Sequence, residues 1–307
     1  MRAGGGGVPD PAAPGSELEA YAIAIRDLLE RMAARRPTPP GVTVEAVDTG
    51  VPSEWVAHAH ARAADCAVLY LHGGAYVLGS PRTHRGLAAA ISRSARAGVL
   101  LPEYRLAPEH AFPAALEDAR TAYRWLIEER GIAPVRIAIS GDSAGGGLGV
   151  ALLVSLREEG VPLPACYVGI SPWTDLAGTG PSMDALDETD PWLDAAMVRR
   201  AAEAYAGELP RDDPRISPLY ADLTGLPPML VHVGSDEILL DDARRLVARA
   251  RDAGVDASVG VFPGLWHVFH AFPGFPESRD AVREIGAFIR RHTGGVPTSA
   301  AEATRAA

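Results

Sequence analysis

From Ser16 onward the apolar residues Leu18, Tyr21, Ile25, Leu28, Leu29 and Met32 recur at three- and four-residue steps, with Glu and Arg between them. That spacing predicts an amphipathic helix that ends before the Arg35 to Pro40 stretch, where prolines stop it. The period then changes. Val42 to Val47 and Trp55 to Ala61 alternate apolar with polar, as antiparallel strands with one solvated face do, whereas Cys66 to Leu71 is continuously apolar, as a strand covered on both faces is. Further buried strands are expected at Gly98 to Leu101, Val135 to Ser140, Tyr167 to Ser171, Met229 to Val233 and Ala257 to Phe262. Helices are expected near 84 to 95, 114 to 130, 144 to 159, 237 to 253 and 277 to 291. Strands and helices in strict turn indicate an α/β fold with a mostly parallel central sheet flanked by helices.

The alternation is interrupted between Asp175 and Pro228, where one helix, Leu193 to Tyr205, stands among Pro and Asp turns. An insertion of that length between two strands reads as a lid or binding element, because long irregular loops are uncommon in a compact core. Residues 1 to 15 and 293 to 307 are rich in Gly, Pro, Ala and Thr without periodicity and are expected to be disordered tails.

With 307 residues, 47% of them hydrophobic, the chain can bury one large core. A formal charge of -10 argues against a nucleic-acid partner, since phosphate backbones are bound by excess Lys and Arg. Lys is absent altogether, which excludes a P-loop lysine, a pyridoxal Schiff base and a Ser-x-x-Lys dyad. Asn and Gln are absent as well, so a Cys, His, Asn catalytic set is impossible. Cys66 and Cys166 each lie inside an apolar run and read as buried thiols rather than as a disulfide or a zinc site. Neither a signal peptide nor a membrane span is evident, and the expected location is the cytoplasm.

The sharpest chemical signal is Gly141-Asp142-Ser143-Ala144-Gly145, between a predicted strand and a predicted helix. Gly-x-Ser-x-Gly in that setting forms a nucleophile elbow, a strained turn that lifts the hydroxyl above the sheet. Ser143 then needs a base. His267, in Gly264 to Phe269 just after a strand, is the candidate; His232 lies inside a strand, His270 is three residues beyond and His292 is near the tail. An acid must orient the imidazole. Asp236 comes first in the loop leaving Met229 to Val233, while Glu237, Asp241 and Asp242 are assigned to the ensuing helix as a dipole-favoured solvated face. Finally, His72-Gly73-Gly74-Ala75-Tyr76 follows a buried strand; the amides of Gly73, Gly74 and Ala75, together with that of Ala144, are candidates for an oxyanion hole.

With these residues in place, the chain resembles the hormone-sensitive-lipase-like family of the α/β-hydrolases, the bacterial family IV carboxylesterases. The resemblance runs from 16 to 292. It rests on His72 to Tyr76, Tyr104 to His110, Phe112 to Ala115, Gly141 to Gly147, Ser171-Pro172-Trp173, Ser217-Pro218-Leu219, Asp236 and His267. It implies one α/β-hydrolase domain with a helical cap from about 16 to 40 and about 175 to 215. It also implies a Ser143, Asp236, His267 triad, no cofactor, no metal, and a short-to-medium acyl ester as substrate. Ala75 stands where the family often has a third Gly, Glu103 replaces an Asp, and Glu237 replaces a Pro that often follows the acid. Arg105 and Glu109 are expected to pair, buried, near the oxyanion loop. Family members include dimers, so a homodimer is possible. Two rivals are a triad recruited for specialised deacetylation, cyclisation or acyl transfer, and a non-catalytic small-molecule binding protein.

Overall fold

The computed structural model describes residues 18–61 and 65–294, and the tail expectations for 1–15 and 295–307 lie outside them. Eight strands form one sheet: β1 (Val42–Asp48), β2 (Pro52–His58), β3 (Ala67–Leu71), β4 (Gly98–Pro102), β5 (Ile137–Asp142), β6 (Cys166–Ile170), β7 (Met229–Gly234) and β8 (Ala257–Phe262). Their spatial order is β1-β2-β4-β3-β5-β6-β7-β8. Only β2 pairs antiparallel with its neighbours β1 and β4; every other pairing is parallel.

Among the described residues the α-helices are α1 (Leu18–Ala34), α2 (Pro81–Ala95), α3 (Ala114–Glu128), α4 (Ser143–Glu158), α5 (Ser182–Ala185), α6 (Ala195–Ala206), α7 (Leu240–Asp252) and α8 (Pro276–Thr293). Successive strand residues point to opposite faces, and the core splits accordingly. Leu69, Leu71, Leu100, Ile137 and Ile139 pack with α3, α4 and α7, whereas Val68, Tyr70, Val99, Leu101 and Ala138 pack with α2 and α8. This two-sided burial is why β3 to β6 read as unbroken apolar runs.

Several boundaries differ from expectation. β2 begins at Pro52 rather than Trp55 and gives way to a single 3-10 turn at Ala59–Ala61. α8 continues through Thr293, so residue 293, expected in the C-terminal tail, is helical. α7 starts at Leu240, not at 237, which leaves residues 235 to 239 in the loop after β7. Cys66 and Cys166 are both buried and unbridged. Among the described residues no helix is long and apolar enough to cross a membrane.

Because β3, β5, β6, β7 and β8 run parallel, the segments leaving them all emerge at one edge of the sheet, where α/β folds place their ligands. α1 lies over part of this edge. Its Arg26 donates to the carbonyl oxygens of Val77 and Ala107, 2.7 Å each, and pairs with Glu109 at 2.6 Å. The expected buried pairing of Arg105 with Glu109 is therefore corrected. Glu109 turns to Arg26, Arg105 turns to Asp118 and Glu117, and the Arg105 side chain is half-exposed.

Candidate active site

Ser143 follows β5 directly and opens α4, with a φ of 52° in the left-handed region that disfavours side chains. The turn closes only because its neighbours are small. A Cβ on Gly141 would stand 2.4 Å from the Gly145 carbonyl oxygen, and one on Gly145 would stand 2.0 Å from that of Leu71. Trp173 clamps the turn from the next strand, its N–H donating to the Ser143 carbonyl at 2.8 Å. The Ala144 amide, in the first turn of α4, has no carbonyl one turn earlier to bond and meets the positive end of the helix.

The loop after β3 is set by Asp142. Its Oδ1 accepts from the Gly73 N–H at 3.0 Å and from the Tyr70 hydroxyl at 2.7 Å, and His84 Nε2 lies 3.5 Å from its Oδ2. Burial alone would raise the Asp142 pKa, but the charge and hydrogen bond of His84 and the Tyr70 hydroxyl outweigh it and hold the carboxyl at about 2. Of the candidate amides on this loop, one is already bonded. The Gly73 N–H is engaged by Asp142 and is not free to meet an oxyanion. The amides of Gly74 and Ala75 have no protein partner among the described residues, and the backbone there runs left-handed at Gly74, Ala75 and Tyr76.

His72 stacks on Tyr104 with ring centroids 4.2 Å apart, and Tyr104 donates to the His72 carbonyl at 2.6 Å. Burial, with the His84 charge, pushes the His72 pKa down to about 3, so the ring braces the loop as a neutral group and is no base. Gly74 has a φ of 125°, and a Cβ there would stand 2.2 Å from the Leu78 carbonyl oxygen. Gly74→Ala is thus expected to open this loop and lower kcat by about 10²-fold, the order of one lost oxyanion donor. Steady-state kinetics with circular dichroism as a fold control tests it.

His267, nine-tenths buried, occupies the loop after β8. The carboxylate facing it belongs to Glu237, not to Asp236: Glu237 Oε2 lies 3.4 Å from His267 Nδ1 and Glu237 is fully buried. Asp236 is only partly buried, and its Oδ1 instead accepts from the Ser235 hydroxyl at 2.5 Å. The cause is the late start of α7, which leaves Glu237 in the loop, turned toward His267, rather than on a solvated helix face. Burial opposes charge on His267, yet the adjacent Glu237 carboxylate, with Asp190 and Asp142 farther off, outweighs it and raises the imidazole pKa.

The remaining candidates sit elsewhere. Asp242, fully buried, accepts from the Thr174 and Asp175 amides at 2.7 and 2.8 Å, and Asp241 accepts from the Ser182 amide at 2.8 Å. His232 and His270 face each other at 3.2 Å behind Phe262 and Phe269, and burial holds His270 well below the ordinary histidine pKa. His292 stacks on Phe288 on α8.

Residues 68–271 match the family description of the α/β-hydrolase fold. The chain is 50% identical over 244 residues to an acetyl-hydrolase of Streptomyces hygroscopicus, covering 79% of this chain and 80% of that one. It is 34% identical to an ethyl acetate hydrolase of Pseudomonas putida, covering 71% and 70% respectively. The crystal structure of an esterase from the bacterial hormone-sensitive lipase family superposes with a TM-score of 0.85 at 47% identity, over 92% of this chain and 94% of that one. Sequence, sheet order and elbow agree, and the chain belongs to the bacterial hormone-sensitive-lipase family of the α/β-hydrolases, as a carboxylesterase.

Proposed function

We propose that the protein hydrolyses short-acyl carboxylic esters through an acyl-enzyme on Ser143. The observation that carries this reading is the Ser143 elbow, at the sheet edge where the unbonded Gly74 and Ala75 amides and the His267–Glu237 pair also emerge. Ser143 Oγ attacks the ester carbonyl carbon as His267 takes its proton. Glu237 holds the imidazole tautomer and stabilises the imidazolium. The amides of Ala144 and of Gly74 or Ala75 receive the oxyanion. Collapse releases the alcohol with the proton from His267, and water activated by the same His frees the acid.

α1 and the segment from 175 to 215 act as the cap in this reading. Tyr205 of α6 stacks on Tyr76 of the oxyanion loop at 3.6 Å, Trp173 stands 5.9 Å from Tyr76, and all three are buried. This filled aromatic wall, adjoining the residue that clamps Ser143, favours small acyl groups. The acetyl-hydrolase and ethyl acetate hydrolase relatives support the same range. On p-nitrophenyl esters, kcat/KM is expected to peak between acetyl and butyryl and to fall by about tenfold or more by decanoyl, since each excluded methylene forfeits ~1 kcal/mol of burial. A flat or rising profile sinks the chain-length reading. The acetyl-hydrolase relative also favours a second reading, a deacetylase dedicated to one larger metabolite, which predicts turnover of the acetyl ester alone. The outer edge of β8, unpaired among the described residues, supports a homodimer, which sedimentation tests.

A further inference from the structure

β6 lies between β5, which delivers Ser143, and β7, which leads to Glu237. The residue that follows β6 therefore enters the site between nucleophile and acid. That residue is Ser171, fully buried, with a φ of 47° and its own N–H tied to the His232 carbonyl at 2.7 Å. A β-region backbone would carry its side chain along the strand; the left-handed turn redirects it. Its hydroxyl donates to Glu237 Oε2 at 2.9 Å, the same oxygen that faces His267 Nδ1. It also accepts from the N–H of Val268, the residue after His267, at 3.2 Å. Val268 likewise sits left-handed, at a φ of 51°.

One hydroxyl thus meets both partners of the base–acid pair. The Val268 N–H occupies a lone pair of Ser171 Oγ, which leaves its proton for Glu237. The other Glu237 oxygen, Oε1, is buried without a hydrogen-bond partner among the described residues, so among these Ser171 supplies the hydroxyl that fixes which way this carboxylate faces. We propose that Ser171 is the positioning residue of the acid, holding Glu237 Oε2 against His267. The proposal rests on the reading of Glu237 as the acid. Ser171 touches neither the ester nor the reacting atoms, so its contribution lies in orientation, where small displacements are costly.

The test is a double-mutant cycle on p-nitrophenyl butyrate. Ser171→Gly deletes the hydroxyl while accepting the left-handed backbone without strain, and Ser171→Ala deletes it with Cβ retained, so that one substitution controls for the backbone of the other. Each is expected to lower kcat by about 10- to 100-fold with KM within about threefold. In a Glu237→Ala background, where no carboxylate remains to be aimed, adding Ser171→Gly is expected to cost less than about threefold more. Additive losses, or single variants that change KM and kcat in parallel, overturn the proposal and leave Glu237 its role. If Glu237→Ala itself retains wild-type kcat, the reading of Glu237 as the acid fails and the positioning role fails with it.

Discussion

Ser143→Ala is expected to lower kcat on p-nitrophenyl acetate by at least about 10⁴-fold, the order seen when a serine hydrolase loses its nucleophile and keeps only binding and oxyanion contacts. The fold should hardly notice. Ala keeps the Cβ that the left-handed turn already accommodates, and the clamp from the Trp173 N–H reaches the backbone, not the hydroxyl. Thermal melting should shift by less than about 3 °C, equivalent to about 1 kcal/mol for a protein of this size. Residual turnover within tenfold of wild type would show that another group attacks the ester. Mass spectrometry after mixing with a slowly deacylating ester gives an independent reading, since wild type should retain one acyl group and the variant none.

Glu237→Gln is expected to lower kcat by about 10³- to 10⁴-fold, because a neutral amide neither stabilises the imidazolium nor enforces the tautomer that presents a basic nitrogen to Ser143. Asp236→Asn should remain within about threefold of wild type, its side chain being committed to Ser235. The pH dependence separates the two carboxylates further. Turnover requires neutral His267, and the burial that lowers its pKa is outweighed by the facing Glu237 carboxylate, with Asp190 and Asp142. The acid limb of kcat/KM is therefore expected above the ordinary histidine range, with activity rising as pH increases through it. Without the Glu237 charge the largest influence opposing burial is lost, so the residual activity of Glu237→Gln should show its limb at lower pH. A variant pair in which Asp236→Asn is the silent enzyme would restore Asp236 as the acid.

The positions of β3 to β8, the elbow at Ser143 and the loop location of His267 were legible because each rests on local pattern: apolar runs, small residues flanking one Ser, a His just past a strand. The carboxylate that faces His267 was missed for a local reason as well. Reading a helix from 237 put Glu237 on a solvated face, whereas Asp241 and Asp242, acidic residues in the first turn of α7, mark its start at Leu240. That signal was present in the chain and could have placed Glu237 in the loop. No comparable signal existed for Gly73, whose amide is taken by a carboxylate 69 positions away, or for Arg105 and Glu109, which found partners in α3 and α1.

The sequence by itself determined the α/β alternation, the parallel central sheet and the identity of the elbow serine, since hydrophobic periodicity and turn sterics act over a few neighbouring residues. Only the tertiary structure decided which carboxylate faces His267, which amides stay unbonded beside Ser143, and that Ser171 joins Glu237 to the His267 loop. Those outcomes depend on where side chains from β3, β5, β6, β7 and β8 point once parallel pairing brings them to one edge. Hydrogen-bond geometry resolves differences of an ångström there, and a helix start three residues later than expected exchanges Asp236 for Glu237.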